Sequence, residues 1–433
     1  MARFHYTILS RSVPGREEEY VAWYRDQHLA DVCRMPGVVS GQLFRMDFQR
    51  VYEWDEAPQW TLMTIYELEG EDPEPIINAI RAASGSDIMP ACDALFKPGM
   101  IQASGHRIAS GLGTPNANGT RHILAKDIVI PSHLSPIAQA YLMPQPVREG
   151  YPSLDDKAGW QAYVTESDQA VIPLLRQIGA AIDATITERV VDEARVYDIT
   201  PTGLAADSRT VILDIHGGGL ILCGGELCQM MGMNTAARLN HRVWAVDYRM
   251  PPQHPYPAAL DDCMAAYRAL LRERAPTEII VSGGSAGGNL AAALMLRARD
   301  EGLPLPAGVI LGTPEADLTE SGDSFQTNDG IDPGLRSLMP VNLLYADGHD
   351  LAHPYLSPLF GDFTKGFPPT LLTTGTRDLY LSNTVRMHRA LRAANIPAEL
   401  HVTEAGPHTG FPGGPEGAEI DKEIRRFITQ LTV

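Results

Sequence analysis

The amino-acid sequence predicts an α/β protein with a mostly parallel central sheet, preceded by a smaller α+β unit. Three observations carry that prediction. From Ser208 onward, short apolar runs rich in β-branched residues alternate with longer amphipathic stretches, the pattern of a parallel sheet covered by helices on both faces. The chain up to residue 105 instead runs strand, helix, strand, strand, helix, strand. Between the two lie Gly105, Gly111, Gly113, Pro115, Asn116, Asn118 and Gly119 with few large apolar side chains, which is linker composition.

In the first unit, Phe4 to Leu9 reads as a strand, and Arg16 to Asp31 as an amphipathic helix with Tyr20, Trp23, Tyr24 and His28 at helical spacing. Pro36-Gly37 stops that helix, because proline cannot continue it and glycine accepts the left-handed cap. Val38 to Phe48 and Trp60 to Leu68 read as strands joined through a loop that includes Glu53-Trp54-Asp55-Glu56. Glu74 to Ala83 is a second helix and Ala94 to Ser104 a last strand. This order is the ferredoxin-like arrangement, an antiparallel sheet with helices on one face.

Residues 126–186 read as helical but irregular, interrupted by Pro131, Pro136, Pro144, Pro146 and Pro152. Trp160 to Ala181 is the best helix, with Pro173 expected to kink or divide it. These pieces precede the regular alternation and lack strand periodicity, so a helical cap over a catalytic unit is expected. Arg189 to Ile199 reads as an opening hairpin or strand pair.

The alternation then proceeds in order. Strands are expected at Thr210 to Ile215, Arg242 to Asp247, Ile279 to Val281, Gly308 to Leu311, Thr370 to Thr374 and Ala398 to Val402. Helices are expected at Gly225 to Asn240, Pro257 to Arg274, Asn289 to Arg299, Leu381 to Ala394 and Gly417 to Leu431. In such a sheet, reactive groups belong on loops at the C-terminal strand ends.

Bulk composition narrows the function classes. The 433 residues, with 44% hydrophobic and 20% charged, supply a large core and exceed one ordinary domain. The formal net charge of -18 opposes binding to nucleic acid or anionic membranes. Five cysteines, Cys33, Cys92, Cys223, Cys228 and Cys263, are odd in number and lack metal-site spacing, which reads as reduced thiols of a cytoplasmic protein. No signal peptide or membrane-spanning run is evident. No cofactor or metal is expected.

The chemistry is read from glycine patterns at strand ends. Gly283-Gly284-Ser285-Ala286-Gly287 fits the nucleophile elbow G-x-S-x-G, a strand-to-helix turn so sharp that the serine hydroxyl projects from it. Upstream, strand Thr210 to Ile215 runs into His216-Gly217-Gly218-Gly219, an oxyanion-loop pattern whose glycines free backbone N–H groups. Gly218, Gly219 and Ala286 are the expected donors, and His216 is expected to order the loop. The glycine loop is the oxyanion motif expected in α/β-hydrolases, whose pattern the elbow also fits.

Two resemblances extend this reading. Trp23-Tyr24-Arg25-Asp26-Gln27-His28 with Met35-Pro36-Gly37-Val38 resembles the helix end and corner of the EthD-like group of dimeric α+β barrel proteins. That resemblance implies a homodimer formed through the N-terminal domain. His28 is open to two readings, a histidine packed on the apolar helix face or a ligand-contacting acid/base residue as in some relatives. The second resemblance rests on Asp247-Tyr248-Arg249-Met250-Pro251-Pro252-Gln253-His254-Pro255-Tyr256-Pro257-Ala258-Ala259-Leu260-Asp261-Asp262 together with the two glycine motifs. From about Thr187 to the C-terminus the chain resembles the hormone-sensitive lipase family, the family IV bacterial esterases. In that family the Asp247 to Asp262 segment is structural.

The remaining members of a triad follow from strand ends and from the chain order serine, acid, histidine. Asp378 lies just past strand Thr370 to Thr374, and His408 just past Ala398 to Val402, in a stretch that resembles the family's His-Gly-Phe turn. Asp317, Asp347 and Asp350 are alternative acids that follow no clear strand. His349, His353 and His401 are read as surface or packing residues. The chain departs from its family at Gly284, where relatives usually carry Asp or Glu, and after the acid, where Asp378-Leu379-Tyr380-Leu381-Ser382 replaces Asp-Pro-Leu-x-Asp.

The expected activity is hydrolysis of small to medium carboxylic esters by Ser285, His408 and Asp378 through an acyl-enzyme. Amide, lactone or carbonate hydrolysis uses the same chemistry, and a receptor built on the scaffold is the non-enzymatic alternative. The expected domains are 1–105, a ferredoxin-like unit of the dimeric α+β barrel type; 106–125, linker; 126–186, cap; and 187–433, the α/β-hydrolase domain.

Overall fold

A computed structural model describes residues 2–47, 60–106, 128–143 and 150–432. The loop around Trp54, and the expected linker apart from His106, lie outside the described residues. The chain divides into two compact units, Met1–Lys126 and Asp127–Val433.

In the first unit, β1 (Ala2–Ser12) leads into α1 (Glu17–Trp23), a π turn (Tyr24–His28) and α2 (Leu29–Cys33). The single helix expected there is thus continuous but carries one widened turn. Gly37, at φ +83°, takes the left-handed corner after Pro36. β2 (Val38–Arg45), β3 (Leu62–Gly70), α3 (Glu74–Ala83) and β4 (Leu95–Gly105) complete the unit. The sheet is antiparallel throughout, in the order β2-β3-β1-β4. Alternate residues of β3, from Leu62 to Leu68, are buried, and Tyr66 and Leu68 pack with Tyr6, Val32 and Ile80 in one core. Val39, Phe44 and Ile101 stay exposed.

The second unit opens with α4 (Pro136–Tyr141) and α5 (Lys157–Gly179). Pro173 lies inside α5 without dividing it, contrary to one of the two outcomes expected. Its position is exposed, so water can satisfy the carbonyl that loses its partner. The opening hairpin is longer than expected, formed by β5 (Ala184–Val191) and β6 (Ala194–Pro201). Then come β7 (Val211–Ile215), α6 (Glu226–Leu239), β8 (Arg242–Asp247), α7 (Ala258–Glu273), β9 (Ile279–Gly284), α8 (Ala286–Asp300) and β10 (Gly308–Gly312). Two short helices that the sequence pattern did not indicate, α9 (Ser324–Thr327) and α10 (Met339–Ala346), precede β11 (Thr370–Gly375). α11 (Leu381–Ala393), β12 (Ala398–Thr403) and α12 (Pro415–Leu431) end the chain.

The sheet order is β12-β11-β10-β9-β7-β8-β6-β5. Pairs from β12 to β8 are parallel, and only the β6 contacts with β8 and β5 are antiparallel. Neighbouring residues on these strands serve opposite cores. Leu213, Val281, Leu311 and Leu372 pack on one side, and Ile212, Ile280, Ile310 and Leu371 on the other. Burial of both faces is why the strands read as unbroken apolar runs. Strand β9 stands mid-sheet, so the residue after it emerges where flanking loops converge.

Candidate active site

The turn after β9 is built by steric exclusion. A Cβ on Gly283 would lie 2.2 Å from the Gly287 carbonyl oxygen, and one on Gly287 would lie 1.9 Å from that of Ile215. Only glycine fits at these two positions. Between them Ser285 is held at φ 56°, ψ -122°, a conformation a non-glycine residue rarely keeps without support. Its N–H donates to the Gly312 carbonyl at 2.8 Å, and its carbonyl accepts from Asn289 at 3.2 Å and Glu315 at 3.1 Å. Asn289 is itself fixed by side-chain donation to the Glu315 and Leu356 carbonyls.

The structure brings Ser285, His408 and Asp378 together. Ser285 Oγ lies 2.9 Å from His408 Nε2, and His408 Nδ1 lies 3.1 Å from Asp378 Oδ1. Asp378 is fully buried and also accepts from the Thr374 hydroxyl at 2.7 Å and the Tyr380 N–H at 2.9 Å. Tyr380 meets the His408 ring edge-on at 4.9 Å. With Nδ1–H directed at the carboxylate, Nε2 presents its lone pair to the serine hydroxyl.

The glycine loop runs beside this chain of bonds. Gly218 (φ 112°) is packed so closely that a Cβ would come 2.4 Å from the Leu222 carbonyl oxygen, and Gly219 (φ 58°) lies against Leu338 and Val341. Among the described residues, no protein acceptor takes the N–H of Gly218, Gly219 or Ala286. His216 is buried, stacks on Tyr248 at 4.1 Å, and directs Nδ1 to the Gly217 carbonyl at 2.7 Å. Burial pushes its pKa down to about 4, so the ring is neutral.

Helix α5 is fastened over the loop. The Cys223 N–H donates to Asp168 at 2.9 Å, Arg176 pairs with Glu226 at 2.7 Å, and Trp160 is buried with Ile221 and Val341. A cavity of about 630 Å³ opens on His408 between α4 and the 332–335 turn, lined by residues that include Ile137, Tyr141 and Leu335.

Sequence reasoning missed two carboxylates beside this centre. Asp332, 1% exposed, accepts the His408 N–H, and the Asp332-Pro333-Gly334 turn was the signal available for it. Glu315, also 1% exposed, lies beside Tyr380 and Asn342, and burial pushes its pKa up to about 7. The alternative acids lie elsewhere: Asp317 pairs with Arg386 at 2.8 Å, Asp350 accepts the Ala352 N–H at 3.0 Å, and Asp347 follows α10 in a left-handed conformation. His349 and His353 pack around Tyr256, and His401 faces Glu399. His28, in the first unit, stacks on Trp23 at 4.4 Å with its pKa pulled down to about 4 by burial.

Comparison with known proteins agrees with this architecture. A family model described as alpha/beta hydrolase fold matches residues 212–412. An esterase from Acinetobacter venetianus is 34% identical over 242 residues, covering 52% of this chain and 77% of the relative. An acetyl-hydrolase from Streptomyces hygroscopicus is 34% identical over 236 residues, with the same two coverages, 52% and 77%. The crystal structure of an esterase superposes with TM-score 0.67 at 34% identity, covering 72% of this chain and 99% of the other. A bacterial hormone-sensitive lipase family esterase gives TM-score 0.59 at 28% identity, covering 69% and 99%.

The chain therefore belongs to the α/β-hydrolase family. Within it, the protein is a hormone-sensitive-lipase-like hydrolase of the carboxylesterase type.

Proposed function

We propose that the protein hydrolyses small to medium acyl esters through an acyl-enzyme on Ser285. The observation that carries this reading is the hydrogen-bonded chain from Ser285 Oγ through His408 to Asp378. His408 Nε2 takes the hydroxyl proton as Oγ attacks the ester carbonyl, and Asp378 holds the imidazole and offsets its developing charge. The N–H groups of Gly218, Gly219 and Ala286 receive the oxyanion, each worth about 3 kcal/mol in the transition state. His408 returns the proton to the leaving alcohol. A water then gives its proton to His408 and attacks the acyl carbon, and His408 returns that proton to the departing Ser285 Oγ as the acid is released.

The test is Ser285→Ala assayed on p-nitrophenyl acetate and butyrate. The reading expects turnover to fall by roughly 10⁴-fold or more, with loss of fluorophosphonate labelling. Unchanged hydrolysis would sink it.

The same reading makes residues 126–186 the cap, 187–433 the catalytic domain and 106–125 a linker. It makes 1–105 a ferredoxin-like domain that pairs with a second copy in the cytoplasm. Supporting the pairing are the strand-helix-strand-strand-helix-strand order, the antiparallel order β2-β3-β1-β4 and the exposed Val39, Phe44 and Ile101. In analytical ultracentrifugation, wild type should sediment as a dimer and Phe44→Glu/Ile101→Glu as a monomer.

A further inference from the structure

Behind the glycine loop, three side chains from separate segments converge: His216 after β7, Cys228 on α6 and Asp247 at the end of β8. One ligand atom from each lies within 4.8 Å of the other two. Their positions along the chain match no metal motif, so the grouping exists only in the fold.

We propose that His216, Cys228 and Asp247 form a binding site for a divalent transition metal of the zinc class. His216 supplies the strongest argument. Its Nδ1 is engaged by the Gly217 carbonyl, which leaves Nε2 as a lone-pair donor, and that atom is buried without a partner. A carbonyl on one imidazole nitrogen with the other nitrogen free is the arrangement by which metal-bound histidines are oriented. Cys228 is a buried free cysteine. Asp247 is oriented by the Gly225 N–H at 2.8 Å on one oxygen, while Arg195 stands 3.8 Å from the other.

Zinc binds imidazole and carboxylate at about 2.0–2.2 Å and thiolate at about 2.3 Å, which sets ligand atoms roughly 3.3–3.8 Å apart, so a contraction of up to about 1.5 Å closes the site. Sulfur and nitrogen donors select zinc, cobalt or copper over magnesium and calcium. On binding, the Cys228 thiol proton passes to solvent, and thiolate and carboxylate together balance the ion's charge. A cavity of about 350 Å³ reaches Asp247, beside Tyr248 and Arg195. Because His216 begins the glycine loop, an ion there holds that loop from behind.

Titration of the reduced, full-length chain with Co²⁺ tests the site directly. One equivalent should produce a thiolate-to-cobalt charge-transfer band in the near ultraviolet, and Zn²⁺ should abolish it by displacement. Cys228→Ser should lose the band. Asp247→Asn should weaken binding by roughly ten-fold or more, and each variant's metal-free melting curve reports whether it is folded. Cys92→Ala should keep the band, because Cys92 belongs to a separate surface cluster with Glu19 and Asp93. No band in wild type, or a band that survives in Cys228→Ser, overturns the proposal. These readouts do not depend on hydrolysis, so they stand or fall apart from the proposed function.

Discussion

The Asp332 carboxylate accepts the backbone N–H of His408 at 2.8 Å, and the same oxygen accepts that of Leu379 at 3.2 Å. One buried side chain thereby ties the turn bearing the histidine to the turn bearing Asp378. The second Asp332 oxygen accepts from Gly334 and Leu335, both at 3.0 Å, which shapes a wall of the cavity. Asp332→Ala strands several backbone donors and should cost about 2–3 kcal/mol in urea unfolding. It should also lower kcat/KM by roughly 10²-fold, as the imidazole drifts from Ser285. A variant with normal kcat/KM would show that the tie is not needed for alignment.

The acid limb of the pH profile should lie high. Burial pulls the His408 pKa down, but the Asp378 hydrogen bond and charge, backed by Asp332 and Glu315, outweigh it and raise the pKa above 6.5. Only the neutral ring can accept the serine proton, so kcat/KM should fall below that raised value. Stability runs the other way. A raised folded-state pKa stabilises at low pH, and that contribution is lost as pH rises through it. Asp378→Asn should move the limb downward and cut kcat by roughly 10⁴-fold. Rate profiles between roughly pH 5 and 9 for both proteins check this.

Glu315 should be a liability above neutrality. Its carboxyl is held at about 7 against an ordinary 4.5, so the folded state resists ionisation that the unfolded chain allows. Stability is therefore lost as pH rises from the lower value to the higher, by about 3 kcal/mol in all. Glu315→Gln should unfold at higher urea than wild type near pH 8, with the gap closing near pH 5. Equal gaps at both values would mean that the carboxyl titrates normally.

Position 284 should accept an acidic residue. A Cβ there meets nothing nearer than the Gly312 carbonyl oxygen at 3.7 Å, the residue is exposed, and its φ is not positive. Gly284→Asp should fold normally, with stability unchanged or raised by up to about 1 kcal/mol as unfolded-state freedom falls. A thermal shift experiment settles it, and a marked loss of stability would point to a constraint on this turn beyond sterics.

The parts of the site that sequence made legible are those imposed by local geometry. Gly283 and Gly287 are required by contacts of 2.2 and 1.9 Å, and Ser285, Asp378 and His408 each follow a strand whose apolar run is plain. Strand periodicity likewise exposed the parallel sheet. Residues 313–369 carry no such period. Their short helices and turns are held by side-chain bonds to distant backbone, as where Asp332 reaches His408 and Ser324 reaches Leu379. Burial of Glu315 beside the centre, the π turn at Tyr24–His28 and the convergence of His216, Cys228 and Asp247 are likewise products of tertiary packing, which spacing alone does not encode.

The separate interiors of the two units bear on how the protein melts. Tyr6, Tyr66, Leu68 and Ile80 form one interior, and Leu213, Val281, Leu290 and Leu311 belong to another. Each should lose its order as its own cooperative block, so calorimetry should return a van't Hoff enthalpy smaller than the total heat absorbed. A filling error in the first interior, such as Tyr66→Ala, should displace one calorimetric component and leave the esterase component in place. A single midpoint would then average two events, and heat would silence the smaller unit while the larger still turns over substrate.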